Sequence, residues 1–302
     1  MNDSRETRAG ATARFGLPRA ERYVLSRARV LGRSLPEPME LLDFDGFAIL
    51  DILVDKGAIA KIAPAGAVDF GDTPEVDLSG RIALPLFVDV HTHIDKGHIW
   101  RRKRNPTGDF PSALAATIED RSANWTAADV AARMEFSLRS AYAYGTTALR
   151  THIDSVGAQT RISWPVFAEA RERWRGKIEL QASPLFSIEL ACDAAHMADV
   201  EAMLDAHGSG ILGAATRMVP ELHQGLGFLF DLAERKGWEL DFHVDESSDP
   251  AARALKVIAN MAIERRFPRR ILVGHCCSLA LHEDDERRKT IDAVARAGIS
   301  VV

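Results

Sequence analysis

The sequence is poor in cysteine and has no long apolar run. Its 302 residues include only three cysteines, Cys192, Cys276 and Cys277, and adjacent cysteines cannot easily form a disulfide with each other. No apolar stretch approaches the roughly 18 residues that a membrane-spanning helix needs. These features exclude a disulfide-stabilised secreted domain and a membrane-embedded protein, and they predict a chain that works in the reducing cytoplasm.

The sequence also lacks an excess of positive charge. It has 38 Lys and Arg against 43 Asp and Glu, which gives a formal net charge of −5. This balance disfavours a nucleic acid or an anionic membrane surface as the main partner. A small-molecule ligand fits this charge balance better. The composition is compatible with a monomer and with a homo-oligomer. With 46% apolar residues, the chain can bury the core of one large domain or of two ordinary ones.

The N-terminal part of the sequence differs in pattern from the rest. Residues 1–20 are polar, without a hydrophobic stretch, and they are predicted to form a flexible tail. Short β-type runs follow between Tyr23 and Ile62, so residues 21–80 are predicted to form a small β region that ends in a polar turn. The remaining residues, 81–302, form the larger domain in this interpretation.

From residue 84 onward, strand-like and helix-like stretches alternate. Such alternation favours a parallel sheet with right-handed crossovers, and seven strands are one short of a closed (β/α)₈ barrel. Because the sequence ends inside an apolar strand, we expect it to be truncated before the last barrel strand. Thr126 followed by Asp129 predicts a helix start, and so does Asp249 followed by Pro250. The strand candidates are 84–91, 146–152, 178–182, 211–216, 240–244, 271–275 and 299–302, and the helix candidates are 130–144, 164–174, 195–206, 224–236, 250–265 and 285–297.

Histidines stand at the ends of three predicted strands. His91 and His93 are two residues apart, so both side chains lie on one face at the end of the first barrel strand. His243 and His275 end two later strands, and the carboxyl ends of barrel strands meet at one mouth. Neutral imidazoles suit zinc or ferrous iron, and a catalytic site leaves one position for water. Glu246 follows His243 closely enough to accept a proton from that water.

Four segments together resemble the amidohydrolase superfamily, and within it the cytosine deaminase-like branch. They are LPLFVDVHTHIDK at 84–96, RTHID at 150–154, DFHVDE at 241–246 and GHCCS at 274–278. The resemblance implies an α/β fold, the metal-dependent hydrolase (β/α)₈ TIM barrel, with seven of eight strands present and with residues 21–80 as part of an N-terminal β-sandwich. It also implies one divalent metal ion, Zn²⁺ or Fe²⁺, at the barrel mouth.

The resemblance also implies a role for each of five residues. His91, His93 and His243 match the histidine ligands of the metal ion. Glu246 matches the residue that shuttles the proton, and His275 matches the histidine that orients the attacking water. The remaining ligand of the family, an aspartate at the end of the eighth strand, has no match in this sequence.

The predicted substrate contacts are His152, Leu185 and Trp100. His152 ends the second barrel strand and faces the mouth, although a packed structural histidine explains it equally well. Trp100 follows the metal motif and is a candidate pocket wall. In cytosine deaminases a glutamine at the end of strand three holds the pyrimidine edge, whereas here Gln181 lies earlier in the strand and Leu185 stands near that position. We therefore expect a different choice of substrate.

These observations predict an enzyme, a metal-dependent amidohydrolase that uses water to deaminate a cytosine-like nucleobase or a related N-heterocycle. One alternative is an amine-releasing hydrolase of N-substituted triazine-type rings, which would use the same residues. The other is an inactive, truncated metal-binding fragment, because a barrel that lacks its last strand has an exposed edge.

Overall fold

The computed structural model describes residues 16–35 and 43–302. The chain divides into two compact units, Met1–Pro85 and Leu86–Val302. The predicted flexible tail falls mainly on residues 1–15, which lie outside the described residues. The division of the sequence into residues 1–20, 21–80 and 81–302 stays a prediction.

The first unit is built around a small β-sheet. Its strands are β1 (Arg22–Leu31), β2 (Phe47–Asp55), β3 (Ala58–Pro64), β4 (Glu75–Asp77) and β5 (Ile82–Ala83). They run in the order β3-β2-β1-β4, and β5 also pairs with β1. Alternate residues of β1 are buried, whereas β2 is buried at five consecutive residues, and the two strands form a small apolar core around Ala28, Val30, Leu50 and Ile52.

The second unit alternates strands and helices, as the sequence predicts. Its strands are β6 (Phe87–Thr92), β7 (Thr146–Asp154), β8 (Glu179–Leu185), β9 (Ile211–Leu212), β10 (Ala215–Thr216), β11 (Glu239–Val244), β12 (Ile271–His275) and β13 (Ser300–Val301). Its helices are α1 (Phe110–Asn124), α2 (Ala127–Ala143), α3 (Ala158–Arg173), α4 (Ala194–His207), α5 (Leu222–Lys236), α6 (Ala254–Arg265) and α7 (Asp284–Arg296).

The strands of the second unit are parallel and follow one another in chain order. One sheet has the order β6-β7-β8, the other has the order β10-β11-β12-β13 with β9 on β11, and a bridge between Ser187 and Ala215 links them. The segment predicted at 211–216 is split into β9 and β10. At the split, the Gly213 backbone passes so close to β11 that an added Cβ would lie 1.9 Å from the Asp241 carbonyl oxygen.

Apolar side chains between the helices and the sheet form the main core. Trp164, Phe167 and Phe230 on the helices are fully buried, and so is Phe242 on β11. Each such side chain contributes about 1.5–3 kcal/mol of stability when it leaves water. Five of the six residues of β11 are buried, as is typical of a parallel strand that is covered on both faces. None of the helices in the described part of the chain has the length and apolarity of a transmembrane span.

The capping signals in the sequence have mixed outcomes. The Thr126 hydroxyl accepts a hydrogen bond from the Asp129 amide, so the predicted start of α2 is confirmed. The prediction that a helix starts at Pro250 is wrong, because α6 begins at Ala254. The Asp249 carboxylate accepts only from the nearby Ala251 amide, which closes a turn. Helix α1 was not predicted, although the sequence Asp109-Phe110-Pro111 carries a helix-start signal.

Candidate metal centre

The strand register brings five histidines to one end of the parallel sheet. His91 lies near the end of β6, and His93 follows that strand. His152 lies near the end of β7, His243 near the end of β11, and His275 ends β12. We call these five residues the histidine cluster. Its members come from four strands because the carboxyl ends of parallel strands lie side by side.

The distances within the histidine cluster suit ligands of one ion. The Nε2 atoms of His93 and His243 are 3.2 Å apart, and two nitrogens on one tetrahedral zinc are about 3.3 Å apart. His91, His152 and His243 each offer a ring nitrogen that lies within 4.8 Å of those of the other two. The ring centre of His275 lies 4.7 Å from that of His91 and 4.8 Å from that of His243. The structure thus brings the three predicted ligands together and adds His152.

Several ring nitrogens of the histidine cluster are buried without a hydrogen-bond partner among the described residues. They are both ring nitrogens of His91 and His152, Nδ1 of His93 and His243, and Nε2 of His275. Buried polar atoms are nearly always paired, so such a concentration needs an explanation. A divalent ion explains it, because imidazole nitrogen is a preferred ligand of zinc and iron. The residues present therefore fit a metal ion.

Burial keeps these imidazoles in the neutral form that metal binding requires. Loss of solvation is the main cause that lowers the pKa of His91 to about 4, with smaller effects from the charges of His275 and Lys96. It also holds the pKa values of His93, His152 and His243 far below the usual range. A neutral imidazole has a lone pair to offer, so the centre can bind a cation without first releasing protons.

Gly274 on β12 makes room for His91. A Cβ added to Gly274 would lie 2.6 Å from Cε1 and 2.9 Å from Nδ1 of the His91 ring. No real Cβ approaches another heavy atom so closely. The position next to His275 therefore needs glycine so that the His91 ring can pack against the backbone.

The predicted acid–base residue lies beside the histidine cluster. Glu246 Oε2 is 3.7 Å from the buried Nε2 of His275, and the Glu246 side chain is partly exposed, so water can reach its carboxylate. The backbone here is strained, since φ is +47° at Asp245, +74° at His275 and +50° at Cys276. Strain of this kind concentrates at functional sites, where it aims side chains in directions that a relaxed strand end does not allow.

The three predicted substrate contacts occupy different environments. His152 is completely buried within the histidine cluster. Leu185 ends β8, pairs with Asp154 and is half-buried. Trp100 lies on the turns that follow the metal motif and is 58% exposed. Their roles in substrate binding stay predictions.

Sequence reasoning missed a group of charged residues at the same end of the sheet. Lys96 Nζ lies 2.7 Å from Asp154 Oδ1, and Arg121 Nη1 lies 2.7 Å from Asp154 Oδ2. Asp95 is fully buried, accepts from the Asp154 amide, and has its pKa raised to about 7, chiefly by burial and then by the charge of Asp154. The only signal in the sequence was that Asp95 and Lys96 lie within three positions of His93 and that Asp154 lies two positions after His152, whereas Arg121 on α1 had no such signal.

A second missed group lies one layer below the histidines. Arg150 precedes His152 by two residues on β7, and Asp241 precedes His243 by two residues on β11, so each shares a face with its histidine. Arg150 Nη1 donates to Asp241 Oδ2 at 3.1 Å. Burial raises the pKa of Asp241 to about 7, and Arg150 acts in the opposite direction.

The chain is similar in sequence to two curated hydrolases. It is 44% identical over 290 residues to a pterin deaminase of Rhizobium rhizogenes (strain K84 / ATCC BAA-868), a match that covers 94% of this chain and 64% of that protein. It is 24% identical over 212 residues to an N-isopropylammelide isopropyl amidohydrolase of Pseudomonas sp. (strain ADP), covering 68% of this chain and 52% of that protein. The chain thus spans less than two thirds of the length of either relative. No protein-family model matches the chain.

The chain also shares its fold with solved structures. A 5-methylcytosine deaminase from Klebsiella pneumoniae matches with a TM-score of 0.76 at 21% identity, covering 92% of this chain and 64% of that one. An N-isopropylammelide isopropylaminohydrolase from Burkholderia multivorans ATCC 17616 matches with a TM-score of 0.69 at 24% identity, covering 92% and 67%. These likenesses confirm the predicted fold class, the (β/α)₈ TIM barrel of metal-dependent hydrolases.

Proposed function

This chain belongs to the amidohydrolase superfamily, in its deaminase branch, and from that membership we propose that it removes an amino group from an N-heterocycle by hydrolysis. The convergence of the histidine cluster with Glu246 at one end of a parallel sheet carries the proposal. In the reaction, water adds to the ring carbon, the C–N bond breaks, and ammonia leaves while a carbonyl group forms.

We assign His91, His93 and His243 as ligands of one divalent ion, Zn²⁺ or Fe²⁺. The support is their shared position, the 3.2 Å separation of the Nε2 atoms of His93 and His243, and the neutral state that burial imposes. When bound, the ion supplies Lewis acidity that lets water act as a nucleophile at neutral pH.

Glu246 is the proposed acid–base residue. Its carboxylate accepts a proton from the attacking water and delivers it to the ring nitrogen, which makes the neighbouring ring carbon more electrophilic. His275, whose Nε2 is 3.7 Å from Glu246 Oε2, holds the water in line for attack. Both side chains are partly exposed, and this exposure leaves room for a substrate above the buried histidines.

We propose a pterin-like ring as the substrate. The relative with 44% identity is a pterin deaminase, and the structure around Gln181 argues against cytosine. The Gln181 side-chain oxygen accepts from Arg150 Nε at 3.0 Å and from Nη2 at 2.8 Å, so it is already bound within the sheet. The half-buried Leu185 ends the same strand and offers an apolar contact for a larger ring.

A second candidate is the release of an alkylamine from an N-substituted triazine. Its support is the similarity to two enzymes named for N-isopropylammelide. One assay separates the two candidates. It measures the release of ammonia and of alkylamine from pterin, cytosine and N-isopropylammelide, with zinc-loaded and with iron-loaded protein. Ammonia from pterin alone supports the first. One ion per chain without turnover of any compound would instead indicate the inactive metal-binding fragment.

The central prediction concerns Glu246. We expect Glu246→Gln to lower the rate of ammonia release by about 10²–10⁴-fold, because the amide cannot accept the proton, while the metal content stays at the wild-type value. Metal analysis and steady-state kinetics measure the two quantities. Glu201→Gln, on the surface of α4, is the matched control and should leave both unchanged. Normal turnover by Glu246→Gln would remove Glu246 from the mechanism.

We further propose a cytoplasmic location and keep the domain division predicted from the sequence. The three cysteines, Cys192, Cys276 and Cys277, are all free thiols, which suits a reducing compartment. Residues 21–80 would form the β-sandwich portion and residues 81–302 the barrel portion.

A further inference from the structure

Two buried polar atoms without a partner among the residues that the structure describes face each other below the proposed metal centre. They are His152 Nε2 and Asp241 Oδ1, which are 3.8 Å apart. Both side chains have no exposure to solvent. An ordinary hydrogen bond is about 1 Å shorter, so a small movement of either side chain would pair the two atoms.

The other oxygen of Asp241 is already held. Arg150 Nη1 donates to Asp241 Oδ2 at 3.1 Å, and Arg150 is itself fixed by Gln181 and by Glu239 Oε2, the latter at 3.3 Å. A buried ion pair between Arg150 and Asp241 would need only Oδ2. The direction of Oδ1 toward His152 is therefore left unexplained by charge pairing alone.

His152 is as close to the proposed ligands as they are to each other. Its ring centre lies 4.3 Å from that of His91 and 4.5 Å from that of His243. One of its nitrogens belongs to the group of three that lie within 4.8 Å of one another. His152 thus lies between Asp241 and the ligands.

We propose that Asp241 is a positioning residue of the metal centre and that His152 is a further nitrogen donor of that centre. Oδ1 of Asp241 accepts a hydrogen bond from the Nε2–H of His152, which fixes the tautomer in which Nδ1 carries the lone pair. Arg150 keeps the carboxylate in place by binding its other oxygen. Such a carboxylate–histidine pair raises the basicity of the ligating nitrogen. This inference rests on the metal centre assigned above, and it extends the ligand set to a residue on β7.

The first test measures zinc affinity by competition with a chromogenic chelator, with the full chain and Zn²⁺ alone as the probe. Loss of a carboxylate that orients a ligand weakens metal binding by about 10–100-fold, and we expect this loss for Asp241→Asn. The matched control is Glu239→Gln, which changes another carboxylate on the same strand that also contacts Arg150. Its zinc affinity should lie within about twofold of the wild-type value. Equal affinities for Asp241→Asn and wild type would overturn the proposal.

The second test asks whether Asp241 acts through His152. We expect His152→Ala to weaken zinc binding at least as much as Asp241→Asn, and the double variant to be no weaker than His152→Ala alone, because contacting residues that act as a unit are not additive. Additive losses would show that Asp241 acts elsewhere, and unchanged affinity in His152→Ala would remove it as a donor.

A third measurement needs no variant and stays decisive if Asp241→Asn fails to fold. In ¹⁵N NMR spectra of the zinc-loaded wild-type protein, His152 should carry its proton on Nε2. A proton on Nδ1 would overturn the proposal. Ammonia release is assayed separately from zinc binding. If the variants bind zinc as expected but the wild-type protein deaminates none of the compounds, the proposed function is rejected and this inference is retained.

Discussion

At the scale of single residues, the proposed chemistry depends on imidazoles that are kept neutral by burial. Burial lowers the pKa of His91 to about 4, and it lowers the pKa values of His93, His152 and His243 even further. Each such ring costs folding free energy while its nitrogens are unpaired, and a bound cation removes that cost. Metal binding and stability are therefore expected to be coupled.

The contact between Gly274 and His91 provides a prediction at this scale. Gly274→Ala would place a methyl group 2.6 Å from the His91 ring, so the ring must move away from the other members of the histidine cluster. We expect zinc affinity, measured by chelator competition, to fall by at least tenfold. The melting temperature of the metal-free protein should stay close to the wild-type value. A displaced imidazole would hold the proposed ion poorly, whereas the apolar core between the helices and the sheet is not altered.

Gly97→Ala is the control for that substitution. Gly97 directly follows the segment 84–96 that carries His91 and His93, and a Cβ there would meet only the His93 carbonyl oxygen, at an ordinary 3.7 Å. This variant should bind zinc as the wild type does. If both alanine variants lose zinc equally, the cause lies in the flexibility of glycine and not in the space that His91 needs.

At the scale of secondary-structure elements, the strand ends both hold the site and begin the next helix. Asp245 follows β11, and its two carboxylate oxygens accept from the amides of Ala254 and Leu255 at the start of α6, each at 3.1 Å. Glu246 comes next in the chain. Asp245, which caps α6, thereby fixes the backbone next to Glu246, the proposed acid–base residue.

We expect the cap at Asp245 to matter more for stability than an exposed cap. Asp245→Ala leaves two buried amides without an acceptor and should lower the free energy of unfolding by about 2–4 kcal/mol. Asp193→Ala removes the exposed cap of α4, which accepts from the amides of Ala195 and His196, and should cost about 1 kcal/mol. Urea denaturation of the metal-free proteins measures both. Equal losses would contradict the role assigned to burial.

At the scale of the whole molecule, the described second unit is a parallel sheet covered by helices, with the proposed site at the carboxyl ends of its strands. This position is where (β/α)₈ enzymes carry their catalytic residues. Every member of the histidine cluster lies in this unit, Leu86–Val302. Because four strands supply the histidine cluster, the cluster forms only when the sheet has folded.

The pH dependence of folding follows from these buried groups. In the unfolded chain, histidines gain protons below about pH 6.5. In the folded chain, His91 gains a proton only near pH 4, and His93, His152 and His243 gain theirs at a still lower pH. Between these values the unfolded state binds more protons, so stability falls as the pH falls. Asp95 and Asp241, with folded pKa values of about 7, and Asp245, whose pKa is also raised by burial, act in the opposite direction, but three carboxyls do not offset four imidazoles.

Chelator-treated protein should therefore lose unfolding free energy between pH 6.5 and about 4, on the order of 1 kcal/mol per pH unit. Urea denaturation at several pH values measures this slope. A His152→Asn variant has one buried imidazole fewer, so its slope should be smaller. Stability that stays constant or rises as the pH falls would show that the histidines are solvated or paired in the folded chain.

Much of the fold was predictable because its signals are local. Alternation of apolar stretches located each barrel strand of the described residues, and β12 has the predicted bounds, 271–275. Helix α1 was missed because its apolar positions do not form one face, and the start of α6 was misplaced because its cap comes from Asp245, nine residues before Ala254. A cap at that distance is set by the loop path and not by a sequence motif.

The sequence by itself determined the order of strands and helices, since periods of two and 3.6 residues are properties of neighbouring residues. It also predicted His91, His93 and His243 as metal ligands, because the motifs around them resemble those of a known family. Only the tertiary structure decided which distant side chains meet. His93 and His243 are 150 positions apart, and Arg150 and Asp241 are 91 apart. The register between strands and the packing of helices on the sheet bring such pairs together, and no local pattern encodes either of them.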